Sequence, residues 1–237
     1  MEVGKAGAEI SHSALHYQIM NFIVNKGFAP KVDELAGMFD CSSESVRTAL
    51  VSLQAYHGVV LHPKTLEVWV IHPFSLAPTN FTVRCGTKVW WGNCAWCSLG
   101  IAAMLRCDVS ITTTWGAHGK PVEFHIKNGE LEATEAVIHF PIPMKNAWDN
   151  VTYTCSTMLV FEDESCVHSW SEQHRIPIGD IQPMEKIWKF SQEWYGSHLQ
   201  PDWVKWTISQ AKAMFSKYGL THPIWNLETQ NEHVETF

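Results

Sequence analysis

Apolar residues recur at helical spacing three times in the first quarter of the chain. Over 13–26, Leu15, Ile19, Phe22 and Ile23 share one face, and Gly27 is placed to end that helix. Over 31–39, Val32, Leu35, Ala36 and Phe39 do the same. After the turn Asp40-Cys41-Ser42, Ser43 begins a third helix through Val46, Leu50 and Leu53 to Tyr56. Two short apolar runs follow, 59–61 and 68–71, joined by His62-Pro63-Lys64-Thr65. Three helices and a hairpin form a winged helix-turn-helix pattern, which sets a first domain over 1–78, with 74–80 as a linker between Pro73 and Pro78.

The pattern then changes period. Stretches 81–85, 109–114, 122–126 and 132–140 alternate β-branched or apolar residues with polar ones, and Asn128-Gly129 is a strong hairpin turn. Between the first two lies an apolar run, 94–105, that reads as a helix capped by Asn93. Stretch 141–150 reads as a loop and 152–162 as a strand carrying Cys155. Stretches 165–174, 181–195 and 202–218 read as helices, the last two rich in Trp. The expectation is an α+β chain. Its N-terminal winged-helix-like domain packs on a mixed or antiparallel-sheet core over 79–220 that ends in helices. A tail covers 221–237 and a loose start 1–12.

Composition narrows the function. With 237 residues, 46% hydrophobic content and 12 Trp, there is ample material for a core. The net charge of −7 argues against a general affinity for nucleic acid or anionic membrane, and helix 43–56 carries one basic residue, Arg47, against Glu44. No stretch is apolar for long enough to span a bilayer, and no basic cluster precedes an apolar run at the N-terminus, so the expectation is a cytoplasmic protein. There the seven cysteines are expected to be reduced thiols.

The candidate chemistry lies at Asn93-Cys94-Ala95-Trp96-Cys97. Two thiols three residues apart at a helix start meet unpaired backbone N–H groups and the positive end of the helix dipole, which favour a thiolate. An isolated C-x-x-C suits a redox pair, half a zinc site or a soft-metal site, and no second C-x-x-C follows to complete a four-thiolate zinc site. Trp90, Trp91, Trp96 and Trp115 are candidates to line or roof the thiols. His118, His125 and His139 lack ligand spacing, Asp108 and Glu123 are near in sequence only, and Cys41, Cys85, Cys107 and Cys166 read as packing residues.

At these residues the chain resembles the organomercurial (alkylmercury) lyase family, from the winged-helix region through about Trp170. The resemblance rests on Asn93-Cys94-Ala95-Trp96-Cys97, on the turn Gly119-Lys120-Pro121-Val122, and on Cys155 followed by Ser169-Trp170-Ser171-Glu172-Gln173-His174. It implies an alkylmercury-lyase-like core in which one thiolate captures mercury, a second joins it, and the leaving carbon is protonated. No redox cofactor is required. Cys94 matches the first cysteine and Cys155 the second. The family's aspartate, which handles the proton, belongs where this chain has Cys97. Cys94, Cys97 and Cys155 are therefore the expected catalytic and metal-binding residues, acting on a small organometallic or other thiol-reactive substrate. Thiolates prefer soft ions such as Hg²⁺ or Cu⁺. The alternatives are a same-fold protein recruited to soft-metal binding or to other thiol chemistry, as in secondary-metabolite biosynthesis, and a metal-sensing winged-helix regulator, which the acidic third helix disfavours.

Overall fold

In the computed structural model, residues 9–227 are described, and they divide into two units. The first comprises the chain through Ile71 together with 198–204, and the second comprises 72–197 and the chain from Lys205 onward. The expected loose start and tail fall partly outside the described residues.

The first unit holds α1 (His12–Lys26), α2 (Val32–Phe39), α3 (Ser43–Ala55) and an antiparallel hairpin of β1 (Val60–Leu61) and β2 (Val68–Ile71). Ser11 and Ser42 cap α1 and α3, each accepting a backbone N–H three residues on. The expected cap of α3 thus moves back by one residue, from Ser43 to Ser42. Gly27 ends α1 with a φ of 83°, a left-handed turn that favours glycine. Leu15, Ile19, Leu35, Val46, Leu50 and Leu53 form the core. His16, also buried, stacks on Trp203 at 3.7 Å between ring centroids.

The second unit is built on an antiparallel sheet in the order β3, β5, β4, β6, β7, β8: β3 (Phe74–Ser75), β4 (Phe81–Cys85), β5 (Lys88–Gly92), β6 (Val109–Thr114), β7 (Pro121–Lys127) and β8 (Glu130–Leu131). Alternation buries Phe81 and Val83 of β4, Trp90 and Gly92 of β5, and Val109, Ile111 and Thr113 of β6. α4 (Ala95–Leu105) packs on this sheet and on α7 (Met184–Tyr195). A second antiparallel sheet places β9 (Val137–Phe140) between β10 (Val160–Phe161) and β11 (Asp180–Pro183). α5 (Val151–Ser156), α6 (Glu164–His174) and α8 (Ile208–Lys217) complete the unit. Among the described residues no helix is long and apolar enough to cross a membrane.

Several expected elements are redrawn. Stretch 74–80 is not purely a linker, because Phe74 and Ser75 pair with Gly92 and Trp91. Stretch 152–162 is not one strand: Asn150 accepts the Tyr153 N–H and starts a short helix, and only Val160–Phe161 is extended. The β-branched residues that suggested a strand are outweighed by this cap. Stretch 181–195 begins as β11 and turns helical at Met184. Cys85 and Cys107 are not free packing thiols but form a disulfide. The register that sets Arg84 opposite Ser110 draws the end of β4 to the segment entering β6, leaving the two Cα atoms 6.7 Å apart.

Candidate active site

Three pieces of backbone converge at the start of α4. The Asn93 N–H donates to the Pro73 carbonyl at 3.2 Å, and the Ala95 N–H donates to the Met158 carbonyl at 3.1 Å. These bonds fasten segment 72–73 and the end of α5 to the helix that carries the C-x-x-C pair. Gly92 allows the close approach of strand to helix, since a Cβ there would stand 2.9 Å from the Cα of Ser98.

The helix start differs from expectation by one residue. Cys94, not Asn93, is the N-cap: its backbone is extended and its sulfur accepts the Cys97 N–H at 3.3 Å. Cys97 sits in the first turn. Cys155 arrives on α5, where its sulfur lies within 4.8 Å of that of Cys97. All three cysteines are buried and unbridged. Cys94 also touches Met158, sulfur to sulfur at 3.4 Å.

Two further polar groups reach the thiols, and neither was among the expected site residues. His72 Nε2 lies 3.7 Å from Cys155 Sγ and 3.4 Å from Asn93 Nδ2. The Tyr195 hydroxyl, at the end of α7, lies 3.8 Å from Cys97 Sγ. The His72 ring meets the edge of Trp148 at 5.1 Å, and Lys205 Nζ sits 5.6 Å from the centre of that indole. No local spacing announces His72, Trp148 or Tyr195. The one available signal is the His-Pro step at 72–73, which forms a cis peptide beside the site.

The ring contacts of the tryptophans expected to line the thiols are made with other aromatic rings. Trp96 points away into an aromatic core, stacked on Phe190 at 5.1 Å and beside Phe140, Trp194 and Trp225. Trp90 packs by Phe74, Trp115 meets Phe124, and Trp91 is exposed. His139 bonds the Pro177 carbonyl instead of facing the thiols.

The electrostatics separate the three thiols. Burial opposes ionisation of Cys94. Hydrogen bonds from the Cys155 and Cys97 thiols, the Cys97 N–H and the proximity of His72 outweigh it and hold the Cys94 pKa well below the ordinary thiol value. Burial and the adjacent Cys94 charge push Cys97 well above it. Donation to Cys94 and Cys97, together with burial, does the same to Cys155. Burial brings His72 down to about 4, so its ring is neutral at pH 7. Cys94 is thus the most readily ionised of the three thiols, beside a neutral imidazole. Such a cluster can capture a soft electrophile at Cys94 and has two protons at hand.

Three buried thiols, two at the start of α4 and one on α5, on an α+β frame of antiparallel sheets, define a thiol-centred site. The alkylmercury lyase family profile matches residues 74–196, more than half of the chain, and the protein belongs to that family. Among solved structures it is similar to the mercury-bound form of MerB2, with a TM-score of 0.64 and 20% identity over 78% of this chain and 91% of that one, a likeness of fold. No curated protein matches it.

Proposed function

We propose that the protein is an organomercurial lyase-like enzyme that splits a carbon–mercury bond by protonolysis, with Cys94, Cys97 and Cys155 as the catalytic residues. The observation that carries this reading is the gathering of three buried thiols, of which Cys94 is the most readily ionised.

The Cys94 thiolate displaces the counter-ligand of the organomercurial and bonds the metal. Cys97, in the position of the family's aspartate, delivers its proton to the carbon, and the electron pair of the carbon–mercury bond becomes the new carbon–hydrogen bond. Mercury left on Cys94 is then taken by Cys155, whose proton returns to Cys97. The net change converts the organomercury cation, one thiolate and one thiol into a hydrocarbon and a neutral bis-thiolate mercury complex. Tyr195 holds Cys97 in place through its hydroxyl.

Within this reading the first unit, with its three helices and hairpin, is a winged-helix-like scaffold that does not read nucleic acid. The enzyme acts in the cytoplasm on a small organometallic substrate. The test is incubation of the reduced protein with a phenylmercury salt and measurement of benzene. Stoichiometric release in one turnover supports the proposal, and mercury uptake without benzene overturns it.

A further inference from the structure

The site holds more donor atoms than a carbon–mercury lyase needs. His72 Nε2, Cys97 Sγ and Cys155 Sγ all lie within 4.8 Å of one another, and Cys94 Sγ sits at the same helix turn, accepting the Cys97 N–H at 3.3 Å. We propose that His72, Cys94, Cys97 and Cys155 form a closed four-donor site for a divalent zinc-group cation such as Zn²⁺, independent of any carbon–mercury cleavage.

The donor geometry is close to what such an ion requires. Zinc–sulfur bonds of about 2.3 Å and zinc–nitrogen bonds of about 2.0 Å, at tetrahedral angles, place sulfur and nitrogen ~3.6 Å apart and two sulfurs ~3.8 Å apart. The observed separation of His72 Nε2 from Cys155 Sγ is 3.7 Å. The other edges among His72, Cys97 and Cys155 lie within 4.8 Å, and Cys94 completes the set from the same helix turn as Cys97. Three cysteines and one histidine are a standard zinc donor set.

The imidazole presents the right nitrogen. The Asn93 side-chain amide can only donate to Nε2, so Nε2 is the unprotonated nitrogen, and it lies beside the Cys155 sulfur. Asn93 in turn is held by its backbone bond to Pro73, which keeps the imidazole segment fastened to the α4 start. The thiols come from the α4 start and from α5, and the imidazole from the His-Pro loop. The site thus ties together three segments distant in sequence, the arrangement in which a metal contributes most to holding a fold.

The change from aspartate to Cys97 gives this its force. A soft-metal site with two thiolates and a carboxylate keeps room for a substrate. Three thiolates and an imidazole leave a four-coordinate ion no open position. Ligation requires all three sulfurs deprotonated, so binding of Zn²⁺ releases protons and leaves the sulfurs on the metal.

The experiment loads the full-length reduced protein with Zn²⁺ and reads its ligand shell by X-ray absorption. One ion per chain is expected, with three sulfurs near 2.3 Å and one nitrogen near 2.0 Å. In competition with a chromophoric chelator, His72→Ala should weaken Zn²⁺ binding by at least about tenfold, the lower bound for loss of even an outer-shell partner. Co²⁺ in the parent should give tetrahedral ligand-field bands with sulfur charge transfer, and His72→Gln should shift them. No uptake, a shell with fewer than three sulfurs, or equal affinity in parent and His72→Ala would overturn the proposal. Benzene release from a phenylmercury salt is scored separately on metal-free protein. A failed lyase reading therefore leaves the zinc measurement intact, and the reverse.

Discussion

The ring of Tyr195 occupies the space that a side chain on Gly100 would need. A Cβ at Gly100 would stand 2.5 Å from Tyr195 Cδ2 and 2.7 Å from Cε2. The missing side chain lets α7 lie flat on α4, and the same approach brings the Tyr195 hydroxyl to Cys97. One glycine, a full turn into the helix, thereby sets how a residue near the end of α7 meets the site.

Gly100→Ala should therefore cost more than a surface change of the same kind. Overpacking in a filled core typically costs about 1–3 kcal/mol, and here it must also push Tyr195 off Cys97. Urea unfolding of parent and variant measures the first effect. Tyr195→Phe keeps the ring and removes the hydroxyl, so it should leave stability within about 1 kcal/mol while lowering single-turnover cleavage. Full stability in Gly100→Ala would show that α7 is not seated as described.

Cys97 is the position where the chain departs from the aspartate of its family. Cys97→Asp should retain or raise carbon–mercury cleavage and ease metal release, because a strong sulfur ligand is removed while a proton carrier remains. Cys97→Ala should slow cleavage yet still hold Hg²⁺ through Cys94 and Cys155. Single-turnover benzene release from all three proteins decides between them. Equal rates in parent and Cys97→Ala would remove Cys97 from the proton path.

The protein should lose stability in mild acid. Burial holds His72 at about 4, and burial lowers His16 well below 6.5, with His198 adding to the shift. Burial also lowers His139. Between the folded and unfolded pKa values the unfolded chain binds a proton that the folded chain refuses, so stability rises with pH and falls on acidification. For His72 alone the loss reaches at most about 3 kcal/mol as pH drops from 6.5 towards 4. The urea midpoint should fall between about pH 7 and pH 5. His16→Phe, which keeps a ring against Trp203, should flatten that profile. An unchanged midpoint in the parent would contradict the burial of these rings.

Helix α3 should not read DNA. Its sole cation, Arg47, donates to the Thr65 carbonyl at 3.4 Å, so even that charge is turned towards the β1–β2 turn. Duplex binding with a steep salt dependence would require several phosphate contacts and would refute this.

Much of the frame was legible from periodicity. Leu15, Ile19, Val46 and Leu50 fell on the buried faces their spacing implied, and the Asn128-Gly129 turn joins β7 to β8. Errors came where a side-chain hydrogen bond overrode propensity. Asn150 started a helix across Thr152, Thr154 and Cys155, residues that read as a strand. At the site, Cys94 and Cys97 were legible because both belong to one helix turn. Cys155 was found through resemblance alone. His72 and Tyr195 carry no local signature, since backbone bonds at Pro73 and Met158 and a contact at Gly100 bring their segments to the thiols. The Cys85–Cys107 pairing likewise follows from strand register, which no count of cysteines contains.

The first turn of α4 is latched by the sulfur of Cys94 itself, through the Cys97 amide. In most helices that latch is an inert hydroxyl or carboxylate, with a value of about 0.5–2 kcal/mol. Here it is a thiol sulfur whose pKa is held well below the ordinary value. When that sulfur shares its electrons with a metal, it holds the amide less firmly, so the grip on the helix loosens as the site fills. Under the proposed metal binding, occupancy would be read in the backbone: the Cys97 amide should exchange its hydrogen slowly in the empty protein and faster once a cation has claimed the latch.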